Sequence, residues 1–140
     1  MGFDLRDHTA DVAVAAEGDT VADVFSAVAN GFVAASTETV PDTDDDRFSL
    51  SVESERLEAL LFDYLDELIY QRDVRNVLPV DNRVDTLTEL EQGNRWQLEA
   101  SARAIPLERV SAREIKAVTY SEMQLEESAD GWEAYVVFDV

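Results

Sequence analysis

The apolar residues of this chain recur with two different periods, and this pattern limits the possible fold more than any other feature of the sequence. Two segments carry apolar residues every three or four positions, which is the spacing of one helix face. Other segments, such as RFSLSVES from Arg47, alternate apolar and polar residues as half-buried strands do. We therefore predict an α+β fold in which two amphipathic helices pack on a mostly antiparallel β-sheet. The helical faces comprise Val21, Val24, Phe25, Val28 and Phe32 in the first segment, and Leu57, Leu60, Leu61, Tyr64, Leu68 and Ile69 in the second.

Local signals set the expected ends of these elements. Asp19 or Thr20 can cap the first helix, which we expect to end near Ser36, and Ser54 can cap the second. Turns are expected at Gly93-Asn94 and at Asp130-Gly131. The length of 140 residues suits one domain that spans 1–140.

The charge of the chain is strongly negative. Asp and Glu number 31 against 11 Lys and Arg, which gives a net charge of −20. Such a surface repels phosphates, so direct binding of nucleic acid is not expected. An acid-rich chain whose single lysine is Lys116 also suggests adaptation to molar salt, where the Debye length falls to roughly 3 Å, and hence an origin in a halophilic archaeon. An acidic surface that binds cations is the alternative interpretation.

Cysteine is absent, so disulfides and thiolate metal sites are excluded. We find no signal peptide and no apolar run long enough to cross a bilayer, which predicts a cytoplasmic location. The acid-rich segment TETVPDTDDDR from Thr37 lacks the glycine and the distal glutamate of a calcium loop, so we interpret it as a solvated loop.

Lys116 lies in the apolar segment EIKAVTY, where strand alternation would place it on the same face as Val118 and Tyr120. A lysine among apolar neighbours needs a carboxylate partner or access to water. The position therefore indicates either a functional ammonium group or a solvent-exposed strand lysine.

Asp139 ends the apolar segment AYVVFDV, and the α-carboxylate of Val140 follows it. If Asp11 came from a neighbouring strand, three anionic groups would converge, and a hard divalent cation would be needed to neutralise them. The alternative is a solvated tail, as at most chain ends. His8, the single histidine, could act as a ligand, as a partner of Asp11 or as a turn residue. We find no supported nucleophile with an activating base and no phosphate-binding glycine loop.

Several motifs together resemble those of the archease family. HTADV from His8 is followed by GDTVADVFSAVANGF, and ERLEALLFDYLDELIY resembles the second helix of the family. EIKAVTYSEMQL resembles the lysine-bearing strand, and VVFDV resembles the ending. The motifs occur in the same order and at similar distances along essentially the whole chain, while the acid-rich loop and the segment 81–105 match less well.

The resemblance implies a function that composition could not give. Archeases assist the RtcB-type RNA ligase that joins tRNA exons, by promoting its guanylylation by GTP and its multiple turnover. They are not ligases themselves. The resemblance places the metal ligands at Asp11, Asp139 and Val140, with Ca²⁺ as the ion and Mg²⁺ or Mn²⁺ as alternatives. It also assigns His8, Lys116 and Glu67 to activation or to contact with the partner.

Two other classes of function remain open at this point. One is a chaperone-like interaction module, and the other is a metal-dependent hydrolase that uses Asp11 and Asp139. The sequence leaves the oligomeric state open, as well as the surface of the ligase that is contacted.

Overall fold

A computed structural model of the chain describes residues 2–7, 11–41 and 46–140. Within these ranges the chain forms two α-helices and seven strands, and every strand pairing is antiparallel. The α+β prediction is therefore confirmed. The elements are β1 (Gly2–Asp7), β2 (Asp11–Gly18), α1 (Val21–Ser36), β3 (Arg47–Ser54), α2 (Leu57–Arg75), β4 (Val77–Leu90), β5 (Arg95–Pro106), β6 (Ala117–Ser128) and β7 (Gly131–Asp139), with short 3₁₀ turns at Glu91–Gly93 and Leu107–Arg109.

The strands form two sheets rather than the single sheet expected from the sequence. One has four strands in the order β1-β2-β7-β6, and the other has three in the order β3-β5-β4. Alternation identifies strands but does not say which strands pair, so the division could not be seen in the sequence. The four-stranded sheet thus joins the first two strands of the chain to the last two.

Each helix contacts both sheets and so joins them around one core. α1 packs on β1, β2 and β7 of the larger sheet and on β4 of the smaller one, whereas α2 packs on β3, β4 and β5 and on β6 of the larger sheet. Phe25 and Phe32 of α1 and Leu61 and Leu65 of α2 are almost completely buried. Burial of a side chain of this size stabilises the fold by about 1.5–3 kcal/mol.

The predicted start of the first helix is confirmed, and that of the second is wrong. The side chain of Thr20 accepts a hydrogen bond from the backbone N–H of Asp23 at 3.1 Å, which caps α1. The residue before α2 is Arg56, which provides no side-chain cap. The hydroxyl of Ser54 instead bonds the carboxyl of Asp63.

β6 contains a large irregularity. Thr119 pairs with Val137 and Gln124 pairs with Tyr135, so the intervening residues of β6 bulge out of the ladder. Glu122, within this bulge, has a φ of 62°. The bulge directs Tyr120 onto Phe62 of α2, where the two rings stack with centroids 4.1 Å apart.

Neither described helix has the length and apolar composition that a membrane crossing requires.

Candidate functional site

The candidate site lies at one end of the four-stranded sheet. Asp11, the first residue of β2, is the register partner of Asp139, the last residue of β7. Asp139 in turn pairs with Ala117, the first residue of β6. Because these three strands are antiparallel neighbours, their ends meet in one row, and two carboxylates from opposite ends of the sequence become adjacent.

Asp11 and Asp139 project from the same face of the sheet. Residues directly opposite each other in an antiparallel pair share a face, with Cβ atoms about 4.5–5.5 Å apart. The face is the one away from α1, since Val12 and Phe138, the next pair along, point into the core. Asp11 is half-buried, with Oδ1 inaccessible to solvent, whereas Asp139 is exposed. Like charges so placed repel each other, and a cation relieves that repulsion.

Val140 follows the carboxylate pair directly. Its side chain is half-buried and packs against the hydrophobic core. This contact restrains the residue after Asp139. The main chain of Val140 directly follows Asp139 and so lies beside the Asp11–Asp139 pair.

Lys116 lies immediately before β6, beside this pair. Its backbone N–H donates to the carbonyl oxygen of Asp139 at 2.8 Å. The side chain of Lys116 is exposed, while Ile115 directly before it and Val118 two residues after it are both buried. The strand alternation that we expected through Lys116 is therefore wrong, because β6 begins only at Ala117. The lysine has the access to water that its charge requires.

Of the other predicted residues, Glu67 does not join this row. Glu67 lies on α2, half-buried, and accepts a hydrogen bond from Nε2 of Gln71 at 2.6 Å. His8 lies outside the described residues, as does 42–45 in the acid-rich loop. Among the residues that are described, no three His, Cys, Asp or Glu side chains form a metal-binding group. A site here consequently has two aspartate side chains, and any third anionic ligand must come from the main chain or from outside the described ranges.

The structure adds a residue that sequence reasoning missed. Arg72 of α2 is buried, and Nη1 of its guanidinium donates to the carbonyl oxygen of Ile115 at 2.7 Å, directly before Lys116. One signal in the sequence could have revealed it. Arg72 follows Leu61, Leu65 and Leu68 at helical spacing, so a charged residue occupies the apolar face of α2.

The opposite end of the same strands offers a useful comparison. Glu17 of β2 is the register partner of Glu133 of β7, which also pairs with Glu126 of β6. These three glutamates are exposed. The sheet therefore has adjacent like charges at both ends, but among the described residues only the Asp11–Asp139 end also lies beside a lysine and a buried arginine.

Two kinds of comparison identify the family. The model of the Archease protein family (MTH1598/TM1083) matches residues 3–140. A protein archease of Methanosarcina barkeri is 32% identical over 145 residues, covering 99% of this chain and 95% of that protein.

Solved structures give the same result for the fold. Protein 1598 of Methanobacterium thermoautotrophicum superposes with a TM-score of 0.81 at 25% identity, over 99% of both chains. The Thermotoga maritima protein described as an archease, possible chaperone, superposes with a TM-score of 0.63 at 21% identity, over 96% of this chain and 94% of its own. Since the family model matches almost the whole chain, this protein belongs to the archease family.

Proposed function

We propose that this protein activates an RtcB-type RNA ligase by promoting its guanylylation and its multiple turnover. We further propose that it binds a divalent metal ion through Asp11, Asp139 and the carboxylate of Val140. The observation that carries the proposal is the register of β2 and β7, which makes Asp11 and Asp139 direct neighbours. The class of partner is what the resemblance of the motifs to the archease family implies, and membership in that family supports it.

The donor groups fit a hard cation. Carboxylate oxygens are the ligands that Ca²⁺, Mg²⁺ and Mn²⁺ prefer, and the chain has no cysteine that would favour a softer metal. The bound ion would supply charge neutralisation and a template for oxygen ligands of the partner. Exposure of Asp139 leaves one side of the site open to such a partner.

Asp11, Val140 and Lys116 each have a distinct part in this proposal. The carboxylate of Asp11 is held by a strand that pairs on both sides, with β1 and with β7. The chain end after Asp139 is held by the packing of Val140 on the core. The exposed ammonium group of Lys116 is available to an acidic or phosphate group of the ligase. The net charge of −20 favours contact of the RNA with the ligase rather than with this protein.

The test is a guanylylation assay with purified ligase, GTP and Mn²⁺, with and without this protein. Asp11→Ala and Asp139→Ala should each reduce stimulation of guanylylation by about tenfold or more, since each removes a charged ligand. Glu17→Ala and Glu133→Ala are the matched controls, because they remove the acidic pair at the other end of the same strands. Full stimulation by both aspartate variants, with intact folds, would refute the proposed site.

A chaperone-like role is the second candidate, favoured by the description of the Thermotoga maritima structure as a possible chaperone. Such a role predicts that the protein suppresses aggregation of unrelated heated proteins, with no ligase present. This suppression should survive Asp11→Ala, because binding of unfolded chains does not need a carboxylate pair. If the wild type does not change the aggregation of the heated proteins, and Asp11→Ala loses ligase stimulation, the results favour the ligase activator.

A further inference from the structure

Arg72 is unusual because its charged side chain is buried at a position that would suit a leucine. Only 7% of its surface is exposed. Arginine is rarely buried to this degree unless its donors are satisfied, because removing the guanidinium from water is costly. At Arg72 two donor nitrogens, Nε and Nη1, have specific acceptors, and the second of these leads towards the candidate site.

The contacts of Arg72 connect α2 to the start of β6. Nε donates to Oδ1 of Asp73 at 3.0 Å, which orients the guanidinium. Nη1 then donates to the carbonyl oxygen of Ile115, whose side chain is completely buried. The next residue, Lys116, donates its N–H to the carbonyl of Asp139 at 2.8 Å. Two hydrogen bonds and one peptide unit therefore separate the guanidinium from the backbone of Asp139.

The segment before β6 has little regular structure of its own. Residues 111–116 belong to no helix or strand, so their position depends on contacts with other elements. Arg113 attaches the early part to the end of α1, through its N–H to the carbonyl of Ser36 at 2.8 Å and its Nε to the carbonyl of Ala35 at 2.9 Å. Arg72 attaches the late part to the end of α2. The late attachment is the one adjacent to Lys116.

We propose that Arg72 is a positioning residue for the site: by fixing the carbonyl of Ile115, it sets the positions of Lys116 and of the backbone of Asp139. The inference rests on the proposed function, in that it gives this positioning a purpose in metal binding and activation. A buried arginine serves here better than a leucine, because a leucine would fill the space but would leave the carbonyl of Ile115 without its donor.

Hydrogen exchange of single amides tests the positioning directly. In Arg72→Met, the Lys116 amide should exchange about tenfold faster or more, while the Val137 amide in β7 changes much less. A purely structural role would lower the stability of the whole fold and raise the exchange of both amides together. The second readout is Mn²⁺ affinity of the protein alone, measured from the spectrum of free Mn²⁺, which we expect to fall about tenfold.

Arg113→Met is the matched control, since it removes another arginine-to-backbone bond from the same segment. It should leave the Lys116 amide protected and change Mn²⁺ affinity less than about twofold. Arg72→Lys keeps the charge but offers one donor group in place of the guanidinium fork, so its exchange and affinity should lie between those of wild type and Arg72→Met. If Arg72→Met does not fold, Arg72→Lys carries the test with the same direction of change.

The outcomes separate this inference from the proposed function. Unchanged Lys116 exchange in Arg72→Met, equal acceleration of all amides, or faster Lys116 exchange with unchanged Mn²⁺ affinity would each overturn the positioning role at the site. If the wild type binds no Mn²⁺, the proposed metal site fails, and the positioning of Lys116 is still decided by exchange. Selective loosening of Lys116 together with weaker Mn²⁺ binding supports both.

Discussion

Replacing Asp139 by asparagine should change the stability of the protein in opposite directions without and with a divalent ion. Asp139 faces Asp11 across β2 and β7. Two unit charges about 5 Å apart repel by about 0.8 kcal/mol at the dielectric constant of water, and by about 3 kcal/mol at an effective value of about 20. Since Asp139 is exposed, the lower part of this range applies, and we expect Asp139→Asn to be about 1 kcal/mol more stable in chelator.

Addition of Ca²⁺ should reverse this order. An ion at a hundred times its dissociation constant stabilises the folded protein by about 2.7 kcal/mol. If loss of the carboxylate weakens binding about a hundredfold, the variant gains only about 0.4 kcal/mol at the same concentration. The wild type should then be the more stable of the two by about 1 kcal/mol, which corresponds to about 4 °C in melting temperature for a domain of this size.

The assay is thermal or urea unfolding of both proteins at one fixed ionic strength, in chelator and in a Ca²⁺ titration. Glu133→Gln is the control. Glu133 faces Glu17 on the same two strands, so its replacement relieves a similar repulsion. It should be stabilised in chelator and should respond to Ca²⁺ as the wild type does. Parallel responses of wild type and Asp139→Asn to Ca²⁺ would refute the reasoning, as would the same reversal in Glu133→Gln.

Three further predictions concern stability and pH. Tyr64→Phe should stabilise the protein by about 1 kcal/mol in urea unfolding, because its buried hydroxyl has no hydrogen-bond partner among the described residues; a loss of stability would mean that the hydroxyl is bonded. Burial raises the pKa of Asp63 above its ordinary value of 3.8. The folded protein therefore binds this proton more tightly than the unfolded chain does, so the contribution of Asp63 to stability is greatest below pH 3.8 and is lost as the pH rises through the folded-state pKa. Asp63→Asn should remove this loss, and its melting temperature should fall less than that of the wild type between pH 4 and pH 7. Gly131→Ala should destabilise by about 1–3 kcal/mol in the same urea assay, because φ is 134° and a Cβ would contact the carbonyl oxygen of Gly18; an unchanged midpoint would contradict this.

The helices and strands that local signals define could be predicted from the sequence. Thr20 caps α1 because a hydroxyl beside the first turn satisfies an orphan N–H, whatever the rest of the chain does. The turn at Asp130-Gly131 follows from residue type in the same way. Such signals act within a few residues, so they can be read before the fold is known.

Features that depend on contacts between residues outside one local pattern could not be predicted from the sequence. Ser54 has the chemistry of a cap, but its hydroxyl bonds Asp63, and α2 begins at Leu57. The division into two sheets, and the bulge that directs Tyr120 onto Phe62, depend on which strands become neighbours. No local pattern carries that information.

The candidate site also has one part that could be predicted from the sequence and one part that could not. Resemblance to a family pointed to Asp11, Asp139 and Lys116, and the register shows how the first two become neighbours. The role of Arg72 needed the structure, since its acceptor, the carbonyl of Ile115, is a backbone group that no sequence motif marks. The assignment of the metal to these residues stays a prediction until binding is measured.

The bulge in β6 also bears on whether this edge of the sheet can pair with another molecule. β6 forms one edge of the four-stranded sheet, where a straight strand would present a row of unpaired N–H and C=O groups to another molecule. With several residues pushed out of the ladder between Thr119 and Gln124, that row is interrupted. Straightening this strand by deletion would therefore be expected to promote fibre-like aggregation even if the core remained intact.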